Sequence, residues 1–322
     1  MVTKKTIAAV LVASFTATAP LLNFAADAPP ATSPVIATTP AQRVILCGTK
    51  IDPDVQIKES QALAKKIAKP DAPDWQAKGD QKRKYHFADA DADMPYRIVV
   101  PSTWDGKAPL PMVVMLHGAG GNESTYLDMN SKLLPKLAEE HGYLLVSPMG
   151  YSTMGAYGTC LRLPTVFGKS ETGAQQRAAV DAAKEKTLEL SEKDVINVIE
   201  IVANEYPVNR KAMFLMGHSM GSGGTWYLGG KYNMYWAAIA PMSGPFVEEA
   251  NYPWDRIRQM PIFITEGTGA TPSLEGSRKM QEWMKEQKFN VQYKEVNADH
   301  GGMVGLVEPD VIAFFDGVRQ KK

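Results

Sequence analysis

From about residue 83 onward, apolar residues fall into short runs of strand length that alternate with stretches of helical spacing. "KYHFAD" and "MPYRIVVP", separated by the acidic turn "DADAD", predict a hairpin. "PMVVMLHG", "YLLVSP", "AMFLMG", "WAAIAP", "PIFIT" and "VQYKEV" predict further strands, most of them apolar along their whole length. Between them, "SKLLPKLAEEHG" has helical spacing and stops on Gly142, and residues 220–231 and 276–288 are helical. "SEKDVINVIEIVANEY" is amphipathic, with Ser191 and Asp194 spaced as an N-cap pair, and "EPDVIAFFDGV" closes the chain. Fully apolar strands alternating with helices predict an α/β fold. Its central sheet is mostly parallel with helices on both faces, and the hairpin adds an antiparallel edge. Such sheets bind ligands at the carboxyl ends of their strands, so chemistry is expected directly after each strand.

Upstream of residue 83 the pattern changes. Residues 1–26 carry Lys4 and Lys5, then an apolar stretch, then small residues at Ala25 and Ala26. That is the layout of a secretory signal peptide, and Ser14, Thr16, Thr18 and Pro20 break it too often for a membrane span. The expectation is an exported protein, periplasmic or secreted, with no stable membrane insertion after processing. Residues 27–82 read as a linker and N-terminal extension: a Pro-, Ala- and Thr-rich segment, a helical stretch at 57–67 and a Pro- and Asp-rich loop. Residues 83–322 then form the main domain, in which any catalytic residues are expected.

Composition narrows the partners. Of 322 residues, 44% are hydrophobic and 22% charged, as in soluble globular proteins. A net charge of zero gives no reason to expect the basic face that nucleic acid requires. Export permits a disulfide between Cys47 and Cys160, the two cysteines, but their spacing leaves the pairing open. No metal and no cofactor is expected, since two thiols are too few for a zinc site.

The strongest chemical signal is "FLMGHSMGSGGTW", where Gly217, Ser219 and Gly221 form a Gly-x-Ser-x-Gly turn between a buried strand and a helix. Such a turn pushes the serine Oγ above the sheet, and the following helix aims its N-terminal dipole at the same place. A serine hydroxyl needs a base. Of the five histidines, His86 lies in the edge hairpin, His141 at a helix end and His218 inside the turn, while His117 anchors a different loop. His300, in "VNADHGG" after the last predicted strand, remains as the base. "LHGAGG" follows an early strand and supplies backbone N–H groups for a developing oxyanion. Ala119 and Met220 are assigned as the donors, with Gly120 as the fallback for the first. Tyr126, Tyr157 and Trp226 are candidates to line the substrate pocket, although burial in the core accounts equally well for Trp226. The long 149–180 loop is a candidate wall of the cleft.

Together, "PYRIVVPSTWD", "LPMVVMLHGAGG", "GHSMGSGGTW" and "DHGG" resemble the α/β-hydrolases grouped with feruloyl esterases and polyhydroxyalkanoate depolymerases. The resemblance spans about residues 83–320. It implies an α/β-hydrolase fold and a serine carboxylesterase acting through an acyl-enzyme, with Ser219 as nucleophile and His300 as base. The substrate would be a small-molecule or polymer-linked ester. One position departs from the family pattern: the Asp expected after the seventh strand falls on Ala270. The order Ser, acid, His leaves Glu266, Glu248, Glu249 and Glu275 as candidates, with Glu266 favoured because it ends the strand, or no acid at all. An impaired triad leaves open a binding protein on the same fold. A peptidase is the remaining alternative.

Overall fold

The computed structural model describes residues 47–162, 173–245, 247, 252–269 and 271–321. The expected signal peptide at 1–26 and linker at 27–42 lie outside the described residues, as do 163–172 of the long loop, Glu248, Glu249 and Ala270.

Eight strands build one sheet in the order β1-β2-β4-β3-β5-β6-β7-β8. They are β1 (Gly79–Phe87), β2 (Ala92–Val100), β3 (Leu110–Leu116), β4 (Leu144–Pro148), β5 (Val208–His218), β6 (Ala238–Met242), β7 (Ile262–Gly269) and β8 (Val291–Asp299). β1 and β2 form the expected antiparallel hairpin, β2 runs antiparallel to β4, and every later pair is parallel. The helices are α1 (Pro53–Ile67), α2 (Thr125–His141), α3 (Gly173–Ala178), α4 (Ala182–Glu205), α5 (Met220–Lys231), α6 (Trp254–Ile257), α7 (Leu274–Glu286) and α8 (Met303–Arg319). This is the α/β architecture that the pattern predicts and the α/β-hydrolase fold that the resemblance implies. Among the described residues no helix is long and apolar enough to cross a membrane.

The apolar strand runs are explained by burial on both faces of the sheet. On one face Met112, Val114, Met213 and Leu215 pack with α1, α4, α5 and α7. On the other, Val113, Met115, Phe214 and Met216 pack with α2 and α8. Alternate residues of one strand thus enter two different cores, which removes the polar positions a half-buried strand would show.

One local expectation changes. Ser191 and Asp194 do not cap a helix. α4 begins earlier, at an N-cap supplied by Asp181, whose side chain accepts from the Lys184 N–H. Both residues are instead buried inside α4 and hold the 149–158 loop: Ser191 Oγ donates to Gly150 O at 2.7 Å, and Asp194 accepts from Tyr151 N at 2.9 Å. The helix stop at Gly142 does form, with φ of 71° in the left-handed region that glycine tolerates, but α2 is interrupted upstream at Met129–Lys132.

The segment before β1 is fastened to the rest. Ser60 on α1 donates to Asn197 Oδ1 on α4 at 2.6 Å. Cys47 and Cys160 are joined by a disulfide with a Cα–Cα distance of 5.2 Å, which settles the pairing the spacing left open.

Candidate active site

The carboxyl ends of β3, β5, β6, β7 and β8 lie side by side, and each delivers one element of the site. The ladder carries this convergence beyond the strands themselves. Ser219 N donates to Met242 O at 3.0 Å, and Ser243 N donates to Thr265 O at 2.8 Å. Residues just past the ends of β5 and β6 are therefore held in register with Glu266 on β7.

Ser219 occupies the turn between β5 and α5 with φ of 59° and ψ of −118°. A non-glycine residue at positive φ is strained, and here the strain is held by close packing on either side. A Cβ on Gly217 would stand 2.3 Å from Gly221 O, and one on Gly221 would stand 2.2 Å from Leu116 O. The two motif glycines are needed because β3, β5 and the start of α5 approach one another too closely for any side chain.

His300, directly after β8, places Nε2 2.9 Å from Ser219 Oγ. Burial pushes the imidazole pKa below its ordinary 6.5, with the charge of Asp299 working against that shift. The ring is therefore neutral near pH 7, the state in which Nε2 can accept the serine proton. Asp299 does not hydrogen-bond the ring; its Oδ1 accepts from Gly302 N at 2.7 Å and holds the turn.

His218 has a part that its position in the turn did not reveal. Its Nε2–H donates to the backbone carbonyl of His300 at 2.6 Å, which requires Nδ1 to be the acceptor for the Tyr126 hydroxyl, also at 2.6 Å. Burial, reinforced by the nearby His300, pushes its pKa down to about 3, so it stays neutral and this tautomer persists. The residue before Ser219 thus holds the backbone of His300. The sequence signal was only a second histidine adjoining the serine, and the partner lies 82 positions away.

The "HGAGG" loop abuts Ser219: a Cβ on Gly118 would come 3.4 Å from Ser219 Cβ. His117 holds the loop, with one ring nitrogen 2.8 Å from Gly118 O and the other 2.7 Å from Met149 O. Gly120 N–H is spent on Thr153 O at 2.8 Å, so the fallback donor is occupied. The N–H groups of Ala119 and Met220 have no acceptor among the described residues, and neither residue is fully buried.

The aromatic candidates are all buried. Trp226 is 1% exposed and packs edge-on against Tyr252, inside the core beneath α5. Tyr126 is buried with its hydroxyl committed to His218. Tyr157 is also buried, and its hydroxyl donates to His117 O at 2.8 Å. Tyr126 and Tyr157 thus hold His218 and His117, while Trp226 is part of the core.

Glu266 is corrected as a direct partner of the imidazole. Its carboxylate, 1% exposed, receives the Ser273 hydroxyl at 2.9 Å and the Ser277 hydroxyl at 2.6 Å, because the side chain runs toward α7. Glu275 is on the surface, paired with Lys279 at 2.7 Å. What meets His300 Nδ1 is the hydroxyl of Ser243, at 2.9 Å.

Comparison with known families gives a match over residues 88–300 to the family Esterase, described as "Putative esterase". Comparison with curated protein sequences gives no match. Among solved structures, an S-formylglutathione hydrolase from Staphylococcus aureus is 16% identical with a TM-score of 0.55, over 74% of this chain and 96% of that one. A ferulic acid esterase from Anaeromyces mucronatus, solved with ferulic acid, is 17% identical with a TM-score of 0.52, over 73% and 89%. A feruloyl esterase module from Clostridium thermocellum, complexed with sinapinate, is 19% identical with a TM-score of 0.53, over 76% and 92%. At such identities these likenesses speak to the fold.

Proposed function

Because the chain belongs to the esterase family of α/β-hydrolases and is a carboxylic ester hydrolase, we propose that Ser219 is its nucleophile, His300 its general base, and the N–H groups of Ala119 and Met220 its oxyanion hole. The observation that carries this reading is the 2.9 Å approach of His300 Nε2 to Ser219 Oγ on a strained strand-to-helix turn.

In the first half-reaction Ser219 Oγ bonds to the ester carbonyl carbon while its proton passes to His300 Nε2. The carbonyl oxygen takes the negative charge and is met by the two amides. Fixed donors of this kind contribute about 3–4 kcal/mol each when tested by deletion. The alcohol leaves with the proton from Nε2 and an acyl-serine remains. Water then attacks the acyl carbon, giving a proton to Nε2, and the C–Oγ bond breaks as Nε2 returns that proton to Ser219 Oγ and the acid is released.

The substrate we propose is a small or aromatic ester, free or attached to a polymer such as a plant-wall feruloyl or acetyl group. The ferulic acid and sinapinate complexes of structurally similar enzymes support the aromatic choice. The place of action we propose is outside the cytoplasm. The basic-then-apolar N-terminus and the Cys47–Cys160 disulfide support export.

The test is Ser219→Ala assayed on p-nitrophenyl acetate and butyrate. Turnover is expected to fall by on the order of 10⁴-fold or more, with the folded protein intact by circular dichroism. Unchanged hydrolysis sinks the assignment.

A further inference from the structure

A serine hydrolase whose imidazole Nδ1 faces a hydroxyl raises the question of what that hydroxyl faces in turn. We propose that Ser243 is a positioning residue that relays Glu266 to His300. It accepts from the His300 Nδ1–H and donates its own proton to the Glu266 carboxylate, so that a buried carboxylate orients the base through an intervening serine. The inference rests on the reading of Ser219 and His300 given above.

Proton counting drives the assignment. For Ser219 to be activated, Nε2 must accept its hydroxyl proton, so the neutral ring carries its own proton on Nδ1. Ser243 Oγ, 2.9 Å away, has to be the acceptor. Its remaining proton then needs an acceptor of its own in a place where Ser243 is 1% exposed. The sheet supplies one. Ser243 N bonds Thr265 O at 2.8 Å, which sets Ser243 beside the β7 residue that precedes Glu266. The Ser243 hydroxyl interacts with the Glu266 carboxylate in the sense that favours its charged form.

The backbone at Ser243 is built for this placement. Its φ is 42°, a left-handed conformation uncommon outside glycine, asparagine and aspartate. The next residue is Gly244, where a Cβ would collide with Ser222 Cβ at 1.9 Å and approach Ser219 O at 2.8 Å. The chain after β6 is thus turned sharply against the nucleophile turn and presents Ser243 to the ring.

No covalent step is added. As Ser219 passes its proton to Nε2, the imidazolium keeps its Nδ1 proton, Ser243 keeps its hydroxyl proton, and Glu266 keeps its charge. The groups around Glu266 are Ser273, which precedes α7, Ser277 from α7, Ser243 after β6, and Glu295 from β8. Tyr293, also on β8, has its hydroxyl on Glu295. Those around His300 are Asp299, His218, Ser219 and Ser243. Burial pushes Glu266 up to about 7 against the pull of the three serines, so its charge changes within the working pH range.

The experiment compares Ser243→Ala, Glu266→Gln and the double variant with the parent and with Ser219→Ala. It measures kcat and KM for p-nitrophenyl butyrate from pH 5 to 9. Each single change is expected to lower kcat at pH 8 by between about 10-fold and the roughly 10⁴-fold that follows loss of a direct acid, with KM within about 2-fold, the pattern of an interaction made only in the transition state. The double variant should lose no more than Ser243→Ala alone, because Glu266 acts only through Ser243. Glu266→Gln should also erase the kcat step near pH 7, which a purely structural carboxylate would not produce. Ser243→Cys, nearly the same size but with a thiol that bonds poorly, should lose activity as Ser243→Ala does, and it carries the test should Ser243→Ala fail to fold. Full kcat in either Ser243 variant, multiplying losses in the double variant, or an unchanged pH profile in Glu266→Gln overturns the relay. An active Ser219→Ala overturns the nucleophile reading and the relay together. An inactive Ser219→Ala beside unaffected Ser243 and Glu266 variants overturns the relay alone.

Discussion

Single residues around His300 show how burial sets the charge states on which their hydrogen bonds depend. His218, His300 and Tyr126 share short hydrogen bonds that work only while His218 is neutral, and burial keeps it so. Glu308 on α8 is the opposite case. It is 1% exposed, and its Oε1 has no partner among the described residues. Burial pushes its pKa from the ordinary 4.5 up to about 8. A carboxyl that holds its proton more tightly when folded favours the folded state below the unfolded value, and that contribution is lost as pH rises through about 8. Glu308→Gln should therefore flatten the fall of melting temperature between pH 5 and 9, with a difference on the order of a few kcal/mol between the two ends. Thermal melts of both proteins across that range check it, and parallel curves would contradict it. Ser219 and His300 stand out in the sequence by type and position, as a serine between glycines after a strand and a histidine after the last strand, and the fold brings them to 2.9 Å. Ser243 could not, since a serine after β6 has no motif and gains meaning only from the ring nitrogen beside it.

At the level of elements, the turn from β5 to α5 carries the most stringent packing. Gly221→Ala would put a methyl group 2.2 Å from Leu116 O, a backbone atom that cannot swing aside. Overpacking of this kind costs roughly 1–3 kcal/mol. The strand-to-helix turn should also open, so labelling of Ser219 by a phosphonate should slow together with the loss of stability. Labelling at the parental rate would show that the glycine is not needed. Most elements were legible because their periodicity is strong: fully apolar runs became β3 to β7, and 220–231 became α5. The failure at Ser191 and Asp194 is instructive. Both are usual N-cap types, yet the helix continues through them because the 149–158 loop offers Gly150 O, Tyr151 N and Tyr157 N as buried partners for their side chains. Tertiary hydrogen bonding overrode a local preference.

For the molecule as a whole, the segment before β1 is bound into the domain. Thr49 meets a buried cluster in which Lys231 on α5 pairs with Glu192 on α4 at 2.7 Å and the Tyr232 hydroxyl donates to Glu192 at 2.6 Å. The disulfide Cys47–Cys160 closes the same region over a sequence separation of 113. Chain-entropy arguments for a loop near this length give about 4–5 kcal/mol, and removal of native bridges costs about 2–5 kcal/mol. Cys47→Ser with Cys160→Ser should lower the denaturant midpoint by a corresponding amount, while kcat in the folded protein changes little because the bridge does not touch Ser219 or His300. An unchanged midpoint in urea unfolding would refute this.

The amino-acid order by itself determined what depends on local repetition. The alternation of strand and helix, the antiparallel first hairpin, the glycines that permit a tight turn at Ser219, and the small-residue loop after β3 all follow from side-chain size, branching and apolar period within a few neighbours. Tertiary structure alone decided what depends on two distant atoms coming within about 3 Å, the range in which a hydrogen bond has its strength. It bonded Tyr126 to His218 and Tyr157 to His117, buried Trp226 in the core and turned Glu266 toward α7. It also set a serine from β6 against the imidazole from β8. No window of sequence contains those distances, because they are fixed by how neighbouring strands of the sheet end together.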